Sequence, residues 1–204
     1  MPKLTAIQLP FTVDHQRLAA EIASLPDNAF SEIESSHISD RGLFACHLLV
    51  PDPEQIHLQR HVLIPSQWLD ASPYLQEVLD LFPSEKHIAR IHKLQAHARI
   101  LLHTDGNLNY HSEYIRVHIP VSTGAGAQFV LEGKALSMAA GECWGLNVCL
   151  PHHVENNNDT ERIHLVMDCK RNAWWEELLQ GLGHVQEPAR PYSRMDMKAL
   201  EYGV

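Results

Sequence analysis

The chain has 204 residues, 45% hydrophobic and 20% charged, with 16 basic against 25 acidic side chains and a formal charge of −9. That is the composition of a globular domain long enough to bury roughly 70% of its unfolded surface. With no basic cluster it excludes nucleic acid and anionic membranes as natural partners, and no apolar run approaches the ~20 residues of a membrane span.

Thr12 or Asp14 is placed to cap a helix running to about Leu25, with Leu18, Ile22 and Leu25 along one side. Pro26-Asp27-Asn28 ends it, and a mixed stretch leads through Asp40-Arg41-Gly42 to a strand over Leu43–Val50, closed by Pro51-Asp52-Pro53. Pro65 to Phe82 reads as helical in its later part, where Tyr74, Leu75, Val78, Leu79 and Leu81 form an apolar face and Pro83 stops the run. From about Ile88 the chain changes to short strands with turn signals between them. They are predicted at Ala89–Leu94, Arg99–His103, Tyr114–Val121, Gln128–Glu132, Glu142–Val148, His152–Asn156 and Arg162–Asp168. Many short strands at close spacing predict a closed sandwich or barrel. A final helix is predicted over Ala173–Leu182, with Gly183–Val204 as a tail placed to pack over the barrel. The whole reads as a single mainly β domain with flanking helices over 1–204. Its parts are an N-terminal helical and mixed segment (1–87), a β core (88–170) and a C-terminal helix and tail (171–204).

Cys46, Cys143, Cys149 and Cys169 form no CxxC pair and read as the reduced, mostly buried thiols of a cytoplasmic protein. Met1–Val13 lacks the charged start and long apolar stretch of a leader. Of 15 histidines, His15, His37, His57, His61 and His184 sit in polar surroundings and read as surface residues. Two strands alternate cleanly. In Ile115-Arg116-Val117-His118-Ile119 the cations share one face, and in Arg162-Ile163-His164-Leu165-Val166-Met167-Asp168 Arg162 and His164 lie opposite Ile163, Leu165 and Met167. That polar side is either a ligand-lined interior or an ordinary solvent face.

The chemistry is carried by His103-Thr104-Asp105, where the apolar Ile100-Leu101-Leu102 runs into a loop at Gly106. An imidazole and a carboxylate two apart at a strand end can point at one ion. A histidine follows 47 residues past the Asp, at His152, and Arg162 ten further on. Two histidines and one carboxylate can hold one face of an Fe(II) ion and leave the other open, as a non-haem oxygenase requires. An arginine soon after the last ligand can hold an anionic co-substrate. His153 competes with His152: on a strand one faces in and the other out, and the residues alone leave both open.

From about Trp68 to Asp168 the chain resembles the aspartyl/asparaginyl β-hydroxylase family of Fe(II)/2-oxoglutarate oxygenases, to which bacterial proline cis-hydroxylases are related. Four pieces carry the resemblance in register: His103-Thr104-Asp105; Arg116-Val117-His118-Ile119-Pro120; Gly141-Glu142-Cys143-Trp144 with Leu146-Asn147; and His152-His153-Val154-Glu155-Asn156 running to Arg162-Ile163-His164-Leu165 and Asp168. Trp68-Leu69 and Pro73-Tyr74 add to it upstream. The resemblance implies a double-stranded β-helix, the jelly roll of cupins, with the metal inside its mouth, so that 88–170 is the jelly-roll core of one oxygenase domain. The family pattern puts the metal histidine two before the Val and ten before the Arg, which selects His152.

The ligands so implied are His103, Asp105 and His152 on Fe(II). Arg162 resembles the arginine that pairs with the distal carboxylate of 2-oxoglutarate in a two-point contact that lysine cannot reproduce. Arg116 and His118 resemble the family's second cationic pair, touching either the co-substrate or an acidic substrate group. His164 shares the face of Arg162 and is placed to support the pocket. Trp144 and Asn147 either line it or are core and turn residues. His92, two positions after Arg90, is a further candidate at the pocket floor. The implied reaction consumes 2-oxoglutarate and O2, releases succinate and CO2, and hydroxylates an unactivated C–H of an amino acid or of an aspartyl/asparaginyl-type residue in a peptide. Related halogenases carry a small residue in place of the acidic ligand, so Asp105 argues against halogenation. Two other readings compete. One is a non-catalytic cupin-like protein using the same pocket for a metal or small anion. The other is a zinc hydrolase, which needs a general base beside the metal; Glu155 and Glu142 are available, but neither sits in an HExxH-like pattern. The substrate is expected to be chosen by the N-terminal helices, the loops Asp105–Glu113 and Gly124–Gln128, and the tail.

Overall fold

The computed structural model describes residues 5–33, 41–56, 62–106 and 113–183. The expected surface residues His37, His57, His61 and His184, most of the Asp105–Glu113 loop and the tail beyond 183 lie outside the described residues.

In chain order the elements are β1 (Ala6–Thr12), α1 (His15–Ser24), a 3-10 turn (Asp27–Ala29), β2 (Ser31–Glu32), β3 (Leu43–His47), β4 (Leu49–Pro51), α2 (Pro53–Ile56), β5 (Leu63–Pro65), α3 (Gln67–Asp70) and α4 (Pro73–Asp80). Then come β6 (Lys86–Leu94), β7 (Arg99–His103), β8 (Tyr114–Ser122), β9 (Ala127–Leu131), β10 (Lys134–Leu136), β11 (Glu142–Leu146), β12 (His152–Asn156), β13 (Arg162–Lys170) and α5 (Ala173–Gly181). A seven-stranded sheet runs β1-β11-β8-β13-β6-β3-β2 and a four-stranded sheet β10-β9-β12-β7, with β4 and β5 as a separate pair. Every pairing is antiparallel. This is the jelly roll of cupins and 2-oxoglutarate oxygenases.

The alternation in β6, β8 and β13 divides the large sheet into two chemistries. One face carries Ile91, Ile115, Val117, Ile119, Leu165 and Met167, all 0–1% exposed. It packs in one core with Leu18 and Ile22 of α1, Leu75 and Val78 of α4, and Trp175 and Leu179 of α5. The other face looks toward the small sheet. There a second, smaller core of Leu94, Ile100, Phe129, Leu131 and Val154 closes part of the gap between the sheets.

The local signals explain the flanking helices. Asp14, rather than Thr12, caps α1: its Oδ1 accepts the backbone N–H groups of Gln16 and Arg17 at 3.0 and 3.1 Å. The helix expected in the later part of 65–82 is α4, with Pro73 in its first turn, and the short α3 precedes it across Ser72-Pro73. The strand expected over Leu43–Val50 is two strands. Leu48 leaves the large sheet, its N–H bonded to Ala89 O and its carbonyl to Ser66 N, both at 2.9 Å, and the chain turns to pair with β5. β1 had no counterpart in the sequence reading, yet it supplies an edge of the large sheet against β11.

Gly141 locks β1 to this frame. Its φ is +85°, and a Cβ there would lie 2.5 Å from the Val13 carbonyl oxygen, which blocks L side chains twice over. Gly141→Ala is therefore expected to destabilise the fold by about 2 kcal/mol or more, read as a lowered midpoint in urea unfolding at unchanged slope.

Candidate metal centre and active site

Three strands of the large sheet each carry the triplet Arg-X-His: Arg90-Ile91-His92 in β6, Arg116-Val117-His118 in β8 and Arg162-Ile163-His164 in β13. The strands are neighbours in the order β8-β13-β6, so the cations fall on one inward face. The small sheet stands opposite and contributes the ligand-type residues. His103 ends β7 and His152 begins β12, and the two are direct cross-strand partners. Their rings lie 4.2 Å apart, centroid to centroid. Asp105 follows His103 by two and is tethered through its N–H to Val148 O at 2.9 Å.

One ligand atom from each of His103, Asp105 and His152 falls within 4.8 Å of the others. Both rings are presented alike. Nδ1 of His103 lies 2.6 Å from Leu101 O, and Nδ1 of His152 lies 3.0 Å from Leu150 O. A carbonyl only accepts, so each Nδ1 carries the proton and each Nε2 keeps a free lone pair for an ion. Burial and the neighbouring His103 push the His152 pKa down to about 4, so its ring is neutral at pH 7 as ligation requires. Phe129 stacks on His152 at 5.7 Å with the ring planes 3° apart, which fixes its orientation. His153 points the other way, into an outer groove with Arg99, Leu101, Gly133 and Glu155.

The residues enclose a cavity of about 110 Å³ lined by the three ligand-type residues, the inward arginines and the apolar Ile100, Phe129 and Val154. Arg162 is 3% exposed and His164 1%. Among the described residues the Arg162 guanidinium meets one side chain, its Nη2 lying 3.1 Å from His164 Nδ1. Arginine only donates, so His164 accepts at Nδ1 and carries its proton at Nε2. Burial alone pulls the Arg162 pKa down to about 9. Burial first, and then the charge of Arg162, drives the His164 pKa well below its usual value. Arg116 is different. Burial opposes its charge, but hydrogen bonds and attraction from Asp168 and Asp105 prevail and its pKa rises.

Three buried polar atoms on cavity-lining residues have no hydrogen-bond partner: Arg90 Nε, His92 Nε2 and His118 Nδ1. Buried orphans of this kind are rare in native proteins and point to a missing ligand. Burial holds both histidines neutral, aided by Arg90 beside His92 and Arg116 beside His118. The donor set of two imidazoles and one carboxylate, with no thiolate, fits Fe(II), and the Arg162 guanidinium, with no carboxylate against it among the described residues, fits the far carboxylate of a dicarboxylic acid.

Among the sequence-expected residues, the structure brings His103, Asp105, His152, Arg116, His118, Arg162 and His92 to one cavity. His164 lies directly behind Arg162 and opens with it onto a second recess beside Thr123, Phe129 and Met138. Trp144 is not part of the cavity wall: its indole N–H donates to Glu142 Oε2 at 2.9 Å and its ring packs on the second core. Asn147 is buried in the turn after β11, where its N–H donates to Thr5 O at 2.9 Å. Asn156 is a structural tie, its amide reaching Leu94, Gln95 and Thr160 carbonyls at 2.8–3.0 Å. Arg90 and Phe129 were not singled out in the sequence. The recurring Arg-X-His triplet was the signal that could have found Arg90.

Jelly roll, inward His-X-Asp…His cluster and buried arginine together define the architecture of the 2-oxoglutarate and Fe(II) oxygenases as a class. The sequence profile of the aspartyl/asparaginyl β-hydroxylases matches residues 42–172, and the chain belongs to that family. The L-proline cis-4-hydroxylase of Rhizobium meliloti (strain 1021) is 29% identical over 126 residues, 61% of this chain and 44% of that protein. The chain thus aligns with less than half the length of that relative. A 2OG-Fe(II) oxygenase family oxidoreductase from Burkholderia pseudomallei superposes with a TM-score of 0.57 at 18% identity, over 83% of this chain and 87% of that one. A Pseudomonas putida prolyl-4-hydroxylase superposes with a TM-score of 0.52 at 16% identity, over 82% and 94%. Among the described residues, no helix is long and apolar enough to cross a membrane.

Proposed function

We propose that the protein is an Fe(II)- and 2-oxoglutarate-dependent hydroxylase of an amino acid or of an aspartyl/asparaginyl-type residue in a peptide. The observation that carries this is the convergence of His103, Asp105 and His152 with both Nε2 atoms free. When bound, Fe(II) and 2-oxoglutarate supply the oxidising chemistry, one atom of O2 leaving in succinate and the other entering the substrate C–H. The protein's own work is orientation and the exclusion of water. His103, Asp105 and His152 would hold the ion. Arg162, braced by His164, would anchor the distal carboxylate of the co-substrate. Ile100, Phe129 and Val154 keep the reacting space apolar.

Charge in the cavity bears on the substrate. Arg116 is matched by Asp168 and Asp105, and Arg162 is assigned to 2-oxoglutarate. Arg90 then remains, its Nε buried without a partner; burial and Arg116 lower its pKa, and Asp168 and Asp105 only partly offset them. A buried cation only partly compensated favours an anion beside it. We assign Arg90 to a carboxylate of the substrate. Arg90→Leu is expected to raise the substrate KM roughly 10–100-fold, the worth of a charge-assisted hydrogen bond, while the 2-oxoglutarate KM stays within ~3-fold. Four cysteines outside any disulfide, three of them buried, support a reducing, cytoplasmic setting.

The direct test is succinate release from 2-oxoglutarate under Fe(II) and air, screened over free amino acids, L-proline first, and over aspartyl and asparaginyl peptides. Substrate-stimulated succinate with a hydroxylated product supports the reading. No 2-oxoglutarate turnover or binding by folded, iron-loaded protein would overturn it.

A further inference from the structure

Arg116 sits between two carboxylates. Its Nε donates to Asp168 Oδ1 at 2.7 Å and its Nη2 to Asp168 Oδ2 at 2.8 Å, a two-point grip. Its Nη1 donates to Asp105 Oδ2. Asp168 and Arg116 are direct cross-strand partners on β13 and β8, and both are buried, 1% and 6% exposed. The guanidinium is planar and rigid. Once Asp168 fixes two of its nitrogens, the direction of the third is fixed as well. The other oxygen of Asp105, Oδ1, lies 3.5 Å from His103 Nε2.

A buried ion pair contributes little net stability compared with a well-packed apolar pair. Direction is what this pair supplies. We propose that Asp168 is a positioning residue of the metal site. Through Arg116 it occupies Oδ2 of Asp105, so that the carboxylate offers Oδ1 alone to the ion. A carboxylate turning both oxygens to the metal would take a position that the co-substrates need. The three-residue chain Asp168–Arg116–Asp105 thus keeps half of the coordination sphere open. This inference rests on the iron reading above and deepens it.

The test uses the full-length protein, Asp168→Asn, and Co(II) without 2-oxoglutarate. Asparagine keeps the shape of Asp168 but loses its charge and one of its two acceptors for Arg116. The Co(II) Kd, from equilibrium dialysis, is expected to rise roughly 10–100-fold, and the visible Co(II) absorption is expected to change as Asp105 gains freedom. Arg116→Lys keeps a positive charge but loses the two-point grip, and is expected to act in the same direction. Asp168→Asn that binds Co(II) with wild-type affinity and spectrum overturns the proposal, even if its metal-free melting temperature falls, because that is the mark of a merely structural pair. Should Asp168→Asn fail to fold, unchanged Co(II) affinity and spectrum in Arg116→Lys overturn it equally. Wild-type protein that is folded yet binds no Co(II) sinks the iron reading itself, which separates the two failures.

Discussion

His152→Ala is expected to lower substrate-dependent succinate formation by at least ~10³-fold, about 4 kcal/mol of activation free energy, whereas His153→Ala is expected to leave it within ~3-fold. The two residues are adjacent in sequence and face opposite ways. His152 is 4% exposed, with its Nδ1 bonded to Leu150 O and its free nitrogen aimed at His103 and Asp105. His153 lies in the outer groove beside Glu155. The pair of variants therefore tests the ligand assignment against its own neighbour, with composition and strand context held constant. Metal content by elemental analysis should follow activity. Equal losses in both variants would point to a folding effect, and a selective loss in His153→Ala would reverse the assignment.

Arg162→Met is the second large effect, and it has opposite signs for binding and for stability. The 2-oxoglutarate KM is expected to rise roughly 10²-fold, as for truncating one side of a buried charge pair. The ligand-free protein is expected to become more stable by about 1 kcal/mol or more, since a desolvated charge with no carboxylate partner is exchanged for an apolar side chain. A melting curve without 2-oxoglutarate and a KM measurement decide both parts. Arg162→Lys is not expected to restore affinity, because an ammonium cannot form the two-point contact.

The same residue sets a pH dependence. Its pKa in the folded protein is about 9, below that of a free guanidinium, so from about pH 9 upward the unfolded chain holds a proton that the folded one has released. Stability of the ligand-free protein therefore gains with pH across that window. Affinity for 2-oxoglutarate does the reverse. It is constant below about pH 9 and falls up to tenfold per unit above it, because the carboxylate binds the charged form. A fall that starts near pH 9 marks the lowered guanidinium pKa, whereas a flat profile to pH 10 shows that Arg162 keeps its proton there.

The sequence made the active site more legible than the architecture around it. His103-X-Asp105 at the end of an apolar strand, and Arg162 ten after His152, are local patterns with few chemical meanings. The alternation in β8 and β13 told which side chains travel together, and only the second sheet could tell that they travel inward. β1 gives a weak signal in the sequence, because its alternation of buried Ile7 and Leu9 about exposed Gln8 is short and runs straight into Pro10. The apolar face from Tyr74 to Leu81 marks α4, whereas the strand expected over Leu43–Val50 is two strands, because Leu48 redirects the chain. Asp168 stood in the family motif without a role, since its partner Arg116 lies 52 positions away and meets it only through the pairing of β13 with β8. No spacing rule along the chain contains that contact.

Arg90 and Arg162 bring to the cavity between the sheets positive charge that Asp105 and Asp168, gripped by Arg116, do not fully cancel, and burying it costs melting temperature. Each anion that settles there removes part of that cost, whether or not any reaction follows. Small carboxylates can thus be ranked by the heat the protein withstands, with a redox-inert metal such as zinc in place of iron. The unknown substrate can announce itself as a shift in a melting curve before a single turnover has been seen.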